Sequence, residues 1–361
     1  MSEDFVILEQ ERLYLQSSMN GVSRSFAIVV PNLEPPLDDY FATAYLICRV
    51  VDNIEDCTHP FYWQQQRFSE FHQLLSHPES AREILAVWDQ ESWPGLTIEE
   101  VAMMGTQYGA PLWKIYAAIP ESERASIAKW AGTMADGMCR VEDPDLVPRL
   151  IDHDGVSMLA DAEDYNGYCY YVAGTVGQMA TELAISHYQF PDDVATLLFD
   201  NAEACGRSLQ KTNIVKDFVK DLERGVSYLP DQWLRQTGYS PLRLAGAPVA
   251  WKYQVLDDVM QELRDATRYL VSLPYSASGY RMAALLCLLP AYQTLLLAAK
   301  RQDKLFTEKH QIKISRTTMA KCKWDAKSMI ADNEAVRRYS QRMETAVAAA
   351  FGAAVPAPGR L

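Results

Sequence analysis

Asp52 and Asp56 lie four residues apart, and so do Asp217 and Asp221. On a helix, that spacing puts both carboxylates of a pair on one face, one turn apart. Each pair ends a longer polar stripe. In YLICRVVDNIED, residues 45–56, Tyr45, Arg49, Asp52 and Asp56 follow at spacings of 4, 3 and 4. In GRSLQKTNIVKDFVKD, residues 206–221, Gln210, Asn213, Asp217 and Asp221 follow at 3, 4 and 4. The intervening positions are mostly apolar, among them Leu209, Ile214, Val215, Phe218 and Val219. Neighbouring carboxylates repel unless something positive lies between them. A merely solvated face would mix Lys and Glu freely, and Glu would make the better helix. Short Asp side chains on successive turns suit a hard cation. Mg²⁺ takes oxygen ligands, keeps several waters and is commonly completed by substrate phosphates. Glu55 adds a third acid to the first cluster. If the two helices face each other, metal ions held by them could grip a diphosphate. The competing di-iron reading needs Glu-x-x-His on two helices, and no Glu here has His three residues on.

Cations and hydroxyls accompany the acids. Arg49 interrupts an apolar helix and needs an anionic partner, either Asp52 or a phosphate. Ser23, Arg24 and Ser25 offer donors to an anion, or a helix cap. In DAEDYNGYCYYVAGTVGQMATEL, residues 161–183, Tyr165, Tyr168 and Tyr171 share a helical face ahead of Gly174 and Gly177. Glycine inside a helix costs about 1 kcal/mol relative to alanine, so something packs close there, a long apolar ligand or a neighbouring helix. Tyrosine rings can stabilise a cation through their π faces, and a Tyr hydroxyl can move a proton. Arg224 and Tyr228 follow the second stripe and could close one end of a cavity. Lys313 and Arg316, read alone, are a surface pair.

Elements that would position these groups are helical. The apolar period predicts helices at 37–56, 61–76, 97–117, 121–139, 157–187, 191–222, 251–272, 277–300 and 317–350, with breakers such as PNLEPP at 31–36 and EDPDLVP at 142–148. The class is all-α. Because residues 23–230 are needed together, the expectation is one helical domain over 1–351, with a flexible tail at 352–361. A net charge of −13 argues against a nucleic-acid partner. Seven cysteines without a C-x-x-C pair read as reduced thiols of a cytoplasmic protein. The N-terminus lacks a signal-peptide apolar region. MAALLCLLPAYQTLLLAAK, residues 282–300, is barely long enough to span a membrane; Pro290, Gln293 and Thr294 interrupt it, and it reads as a buried core helix.

Taken in order, Ser23-Arg24-Ser25-Phe26, YLICRVVDNIED, YCYYVAG at 168–174, LQKTNIVKD at 209–217 and KISR at 313–316 resemble the squalene and phytoene synthase family, its squalene-forming members most of all. The resemblance covers nearly the whole chain. It implies an isoprenoid-synthase fold around a central cavity. The implied reaction is head-to-head condensation of two farnesyl diphosphates, through presqualene diphosphate, to a C30 product. It implies Mg²⁺ on Asp52, Glu55 and Asp56 and on Asn213, Asp217 and Asp221. Ser23, Arg24, Ser25, Arg49, Lys216 and Arg224 would hold diphosphate. Tyr168 would remove a proton as the cyclopropane closes, and Phe26 and Gln210 would line the pocket where cations form. Lys313 and Arg316, with Asn213, would bind NADPH for a reductive second step. Lys216 stands where squalene-forming members often carry Arg, and KISRT replaces a more basic, Gly-ended segment. The absence of a C-terminal membrane helix implies a soluble bacterial-type enzyme, peripherally associated with a membrane for product delivery. Dehydrosqualene synthase, phytoene synthase and presqualene diphosphate synthase stay open as alternatives, as does a helical scaffold without activity. Oligomeric state is not implied.

Overall fold

The computed structural model describes residues 7–23, 25–147, 149–151, 155–238, 244–307 and 309–352. Its contacts divide the chain into two compact units. One comprises Met1–Asp143 and Gln178–Ala195, the other Pro144–Gly177 and Thr196–Leu361. Helices run in the order α1 (Glu9–Val22), α2 (Phe26–Val29), α3 (Leu37–Asp56), α4 (Phe61–Ser76), α5 (Ala81–Trp88), α6 (Ile98–Met104), α7 (Thr106–Ala118) and α8 (Glu121–Glu142). Short strands β1 (Arg149–Ile151) and β2 (Ser157–Leu159) follow. Next come α9 (Ala162–Cys169), a π-helical turn (Tyr170–Gly174), α10 (Thr175–Tyr188), α11 (Asp192–Glu223) and β3 (Val226–Ser227). The chain continues through α12 (Asp231–Arg235), α13 (Val249–Ser272), α14 (Ser278–Lys300), α15 (Arg316–Met329) and α16 (Asn333–Phe351). The protein is all-α, with one minor three-stranded sheet.

In the first unit, α3 packs against α1, α4, α7 and α8. Leu37, Leu46, Ile47, Val51 and Ile54 on it are fully buried. Apolar positions on most of its circumference leave one polar line. Two contacts fix the rotation of that line. Buried Asn53 donates to the Glu100 carbonyl at 3.3 Å and to Met104 Sδ at 3.4 Å, both on α6. Gln64 of α4 donates to the carbonyls of Ile54, Glu55 and Cys57 at 3.2, 2.9 and 3.1 Å. These are the carbonyls a helix end leaves without partners.

In the second unit, α14 packs against α13, α15 and α16. It is long and apolar enough to cross a membrane by length and composition, yet most of it is buried inside the protein. The expectation of a core helix is met. Fully buried Arg281 of α14 donates to the carbonyls of Leu270, Leu273 and Ile330 at 3.0, 2.6 and 2.6 Å and to Asn333 Oδ1 at 2.7 Å. One guanidinium thereby closes the C-terminal ends of α13 and α15.

Helix α11 is fixed by ion pairs and by close backbone approach. Lys211, 1% exposed, places Nζ 2.8 Å from Asp258 Oδ2 and 2.9 Å from Glu262 Oε1 on α13. Arg207, one turn earlier, meets both Glu262 oxygens at 3.0 Å and also pairs with Glu203. On another side, a Cβ on Gly206 would lie 1.7 Å from the Ala173 carbonyl oxygen, and one on Gly177 would lie 2.1 Å from that of Ala202. Gly177, singled out in the sequence, thus serves a neighbouring helix.

Several boundaries differ from the sequence reading. Residues 157–159 form β2, which pairs antiparallel with β1 (Leu150 opposite Met158) and parallel with β3 (Ser157 opposite Val226). Strands of three and two residues carry no readable alternation. The helix predicted over 97–117 breaks at Gly105, where the Asp89 carboxylate accepts the N–H of Thr106 at 3.2 Å and caps α7 from a distant segment. The helix predicted over 317–350 breaks before Asp332, whose side chain caps α16 through the N–H of Ala335 at 2.9 Å.

A buried ion pair that loses one partner leaves an uncompensated charge. Lys211→Met should destabilise the protein by about 3–5 kcal/mol. Urea unfolding should show a lower midpoint with an unchanged slope; a midpoint equal to wild type would show that the pair does not hold α11.

Candidate active site

The two acidic stripes belong one to each unit. In the first, Arg49 lies between its predicted neighbours. Its Nη1 is 3.4 Å from Asp52 Oδ2 and 4.0 Å from Glu100 Oε1, and its Nη2 donates to Tyr45 Oη at 3.4 Å. Of the two partners considered for Arg49, Asp52 is present. The Nε of Arg49 is buried and has no hydrogen-bond partner among the described residues. The site therefore keeps one open cationic donor, as a phosphate oxygen would need. Burial pushes the Asp52 pKa up to about 6; Arg49 pulls it down, while Asp56 and Glu100 push it further up. The upward influence of Asp56 reports that the two carboxylates sense each other. Burial alone would weaken the charge on Arg49, but Asp52, Tyr45 and Asp56 more than offset this and its pKa is raised. Glu55 is buried beside the stripe.

Next to this stripe, Ser23 is buried and its Oγ accepts the N–H of Phe26 at 3.0 Å. This is a capping contact; it uses the hydroxyl oxygen as acceptor and leaves the O–H free to donate. Ser25 is exposed. Phe26 rests on Tyr45, with ring centroids 5.0 Å apart. Arg24 lies outside the described residues.

On α11 of the second unit, Asp217 faces three polar groups. Gln311 Nε2 donates to its Oδ1 at 2.7 Å, Lys216 Nζ is 3.1 Å from its Oδ2, and Lys220 Nζ is 3.9 Å from its Oδ1. Lys216 also donates to Asn213 Oδ1 at 2.7 Å. Lys216 therefore bridges two members of the stripe. Gln210 and Asp221 are half-buried, and Arg224 is exposed at the end of α11. Tyr168 is 4% exposed and stacks on Tyr228, with centroids 4.2 Å apart and planes 8° from parallel. Arg149 of β1 lies 5.8 Å from the Tyr228 ring centre. Just past Tyr168, residues Tyr170–Gly174 form a π turn, and Tyr171 within it is half-buried where Tyr165 and Tyr168 are buried. Such turns recur at functional sites.

Lys313 and Arg316 are exposed and form no ion pair among the described residues. Ser315 between them caps α15, its Oγ accepting the N–H of Thr318 at 3.0 Å. The sequence reading missed Gln311, although it lies in the same basic segment. It also missed Arg149 and Glu100, for which sequence spacing offers no signal.

Among the described residues, no three acidic, His or Cys side chains converge to cage a metal on their own. Mg²⁺ does not require such a cage, since one or two carboxylates plus substrate phosphates suffice. The pairs Asp52/Asp56 and Asp217/Asp221 fit that chemistry, and the open Arg49 donor fits the phosphate.

A carboxylate whose pKa is higher folded than unfolded keeps its proton longer in the folded state. Stability should therefore fall as pH rises from the ordinary value of 3.8 to about 6, by on the order of 3 kcal/mol from Asp52 alone. Carboxyl NMR should find Asp52 titrating near 6, and Asp56→Asn should lower that value. Titration in the ordinary carboxylate range would remove Asp52 from a buried, acid-flanked setting.

Comparison with known proteins matches residues 19–318 to squalene/phytoene synthase. Squalene synthase ERG9 of Candida albicans is 29% identical over 243 residues, covering 63% of this chain and 48% of that protein. The chain thus matches about half the length of that relative. Squalene synthase of Mus musculus is 22% identical over 339 residues, covering 90% and 72%. The solved structure of TcSQS with a bound ligand superposes with a TM-score of 0.77 at 22% identity, covering 94% of this chain and 92% of that one. This last likeness gives the chain the all-α isoprenoid-synthase fold. With a match that runs from ahead of Ser23 to beyond Arg316, the chain belongs to the squalene/phytoene synthase family.

Proposed function

We propose that the protein is a prenyltransferase that joins two farnesyl diphosphates head to head, through presqualene diphosphate, and then reduces the product to squalene. The observation that carries the reading is the pair of Asp stripes on otherwise apolar helices, one of them beside an Arg with an open buried donor. Asp52 and Asp56, with Glu55 beside them, hold Mg²⁺ on α3. Asp217 and Asp221, with Asn213, hold it on α11. Bound Mg²⁺ supplies charge neutralisation of the leaving diphosphate.

The chain's own groups do the rest. Arg49, Lys216 and Arg224, with Ser23, Arg24 and Ser25, bind and orient diphosphate. For Lys216 this means trading Asn213 and Asp217 for phosphate oxygens. Phe26 and Gln210 line the place where allylic cations form, and an apolar lining keeps water from quenching them. Tyr168 takes the proton lost on cyclopropane closure, its ring held by stacking on Tyr228. Lys313 and Arg316, with Asn213, would hold NADPH, which would supply the hydride of a reductive second step. The Gln311–Asp217 hydrogen bond supports that last assignment, because it ties the basic segment to the second acidic stripe. The protein is read as cytoplasmic, with peripheral membrane contact.

Asp52→Asn and Asp217→Asn should each reduce farnesyl diphosphate turnover by orders of magnitude while the helical circular-dichroism signal stays native. Near-normal turnover in either folded variant would remove that stripe from the metal site. Product analysis with and without NADPH tests the reductive step: squalene should require it. Lys313→Ala should raise the NADPH requirement roughly tenfold, as loss of one charge-assisted contact predicts, and leave presqualene diphosphate formation intact. An identical C30 product with and without NADPH would assign the chain to the dehydrosqualene-forming branch instead.

A further inference from the structure

Helix α15 presents a face unlike the rest of the molecule. The chain carries a net charge of −13. On α15, Arg316, Ala320, Lys323 and Lys327 follow at spacings of 4, 3 and 4, and all are exposed. Beside this stripe stands Trp324, 70% exposed, with Lys321 and Lys327 one turn away on either side. Of the eight tryptophans in the chain, only this one is exposed. The single acid of the helix, Asp325, is buried and paired with Lys321 at 2.9 Å. The outward charges are thus uniformly positive. The buried side of the helix, with Cys322 and Ala326, packs against α14 and α16, so α15 is rigidly mounted and its basic face is left to solvent.

An indole held out among lysines has a poor partner in water. Trp seats itself at the headgroup level of a bilayer, where its apolar body and N–H are both satisfied, and lysines nearby gain from anionic lipid charge. A soluble acidic protein would satisfy the charge without calling for the indole. We propose that α15 docks the protein on anionic membrane surfaces, with Trp324 inserted at the interface and Lys323 and Lys327 against lipid phosphates. Just past the helix, the exposed acids Asp332 and Glu334 are paired with Arg338 and Arg337, and salt screens more distant negative charge. The proposal does not rest on the catalytic reading, since none of these three residues was assigned to substrate, metal or cofactor.

The test is sedimentation of the full-length protein with phosphatidylcholine vesicles, with and without phosphatidylglycerol. Wild type should bind the phosphatidylglycerol vesicles, release at high salt and ignore the neutral ones. The double variant Lys323→Glu, Lys327→Glu should bind at least about tenfold more weakly, since each basic group near an anionic surface contributes about fivefold. Trp324→Ala should also bind more weakly, and wild-type tryptophan emission should shift to the blue on binding while that of Trp324→Ala should not. Circular dichroism and diphosphate release should match wild type in both variants. No binding, equal binding to neutral vesicles, or undiminished binding by the folded double variant would overturn the proposal. Competition by an oligonucleotide at equal phosphate concentration would also overturn it, assigning the face to polyanions in general.

Discussion

A carboxylate carried on an apolar helix cannot stand uncompensated, and both stripes of this protein are arranged around that constraint. On α3, Arg49 neutralises Asp52 yet still leaves its Nε without a partner. On α11, Lys216 and Gln311 contact Asp217. All of these partners are exchangeable. None is a backbone donor locked in secondary structure. Asp258 and Glu262 show the opposite arrangement. They are matched by fully buried Lys211 and by Arg207 in a fixed network, and that network fixes a helix in place.

The two kinds of acid differ in what surrounds them. Asp258 and Glu262 face cations mounted on α11 itself, so their pairing sets the position of the helix that carries Asp217 and Asp221. Gly206 and Gly177 add a second restraint, allowing backbone contact that no side chain would permit. Asn53 and Gln64 do comparable work for α3 by fixing its rotation and closing its C-terminal end. The polar stripes are therefore presented by helices held in place through other faces.

Much of this was legible in the sequence because it depends on local period. Helices α3 and α4 begin right after Pro36 and Pro60 and end where the apolar repeat ends, so both were bounded correctly. The stripes are themselves a period. Helix α1 was missed because only Leu15 and Met19 of its fourteen residues are buried, too few to mark a face. The Asp332 cap, by contrast, is a local signal that the sequence does carry. The break at Gly105, the strands around Ser157, and the contacts of Gln311 and Arg149 depend on partners far along the chain; Gln311 and Asp217 are 94 positions apart. The π turn at 170–174 gives no sign in composition.

The central claim is that these stripes exist to hold metal ions on a prenyl diphosphate. Its most direct test is the release of diphosphate from farnesyl diphosphate by the wild-type protein as Mg²⁺ is titrated in from a chelated start. The account predicts no release without the metal and a saturable rise as it is added. Release that is indifferent to Mg²⁺, or none at any concentration from well-folded protein, would contradict it.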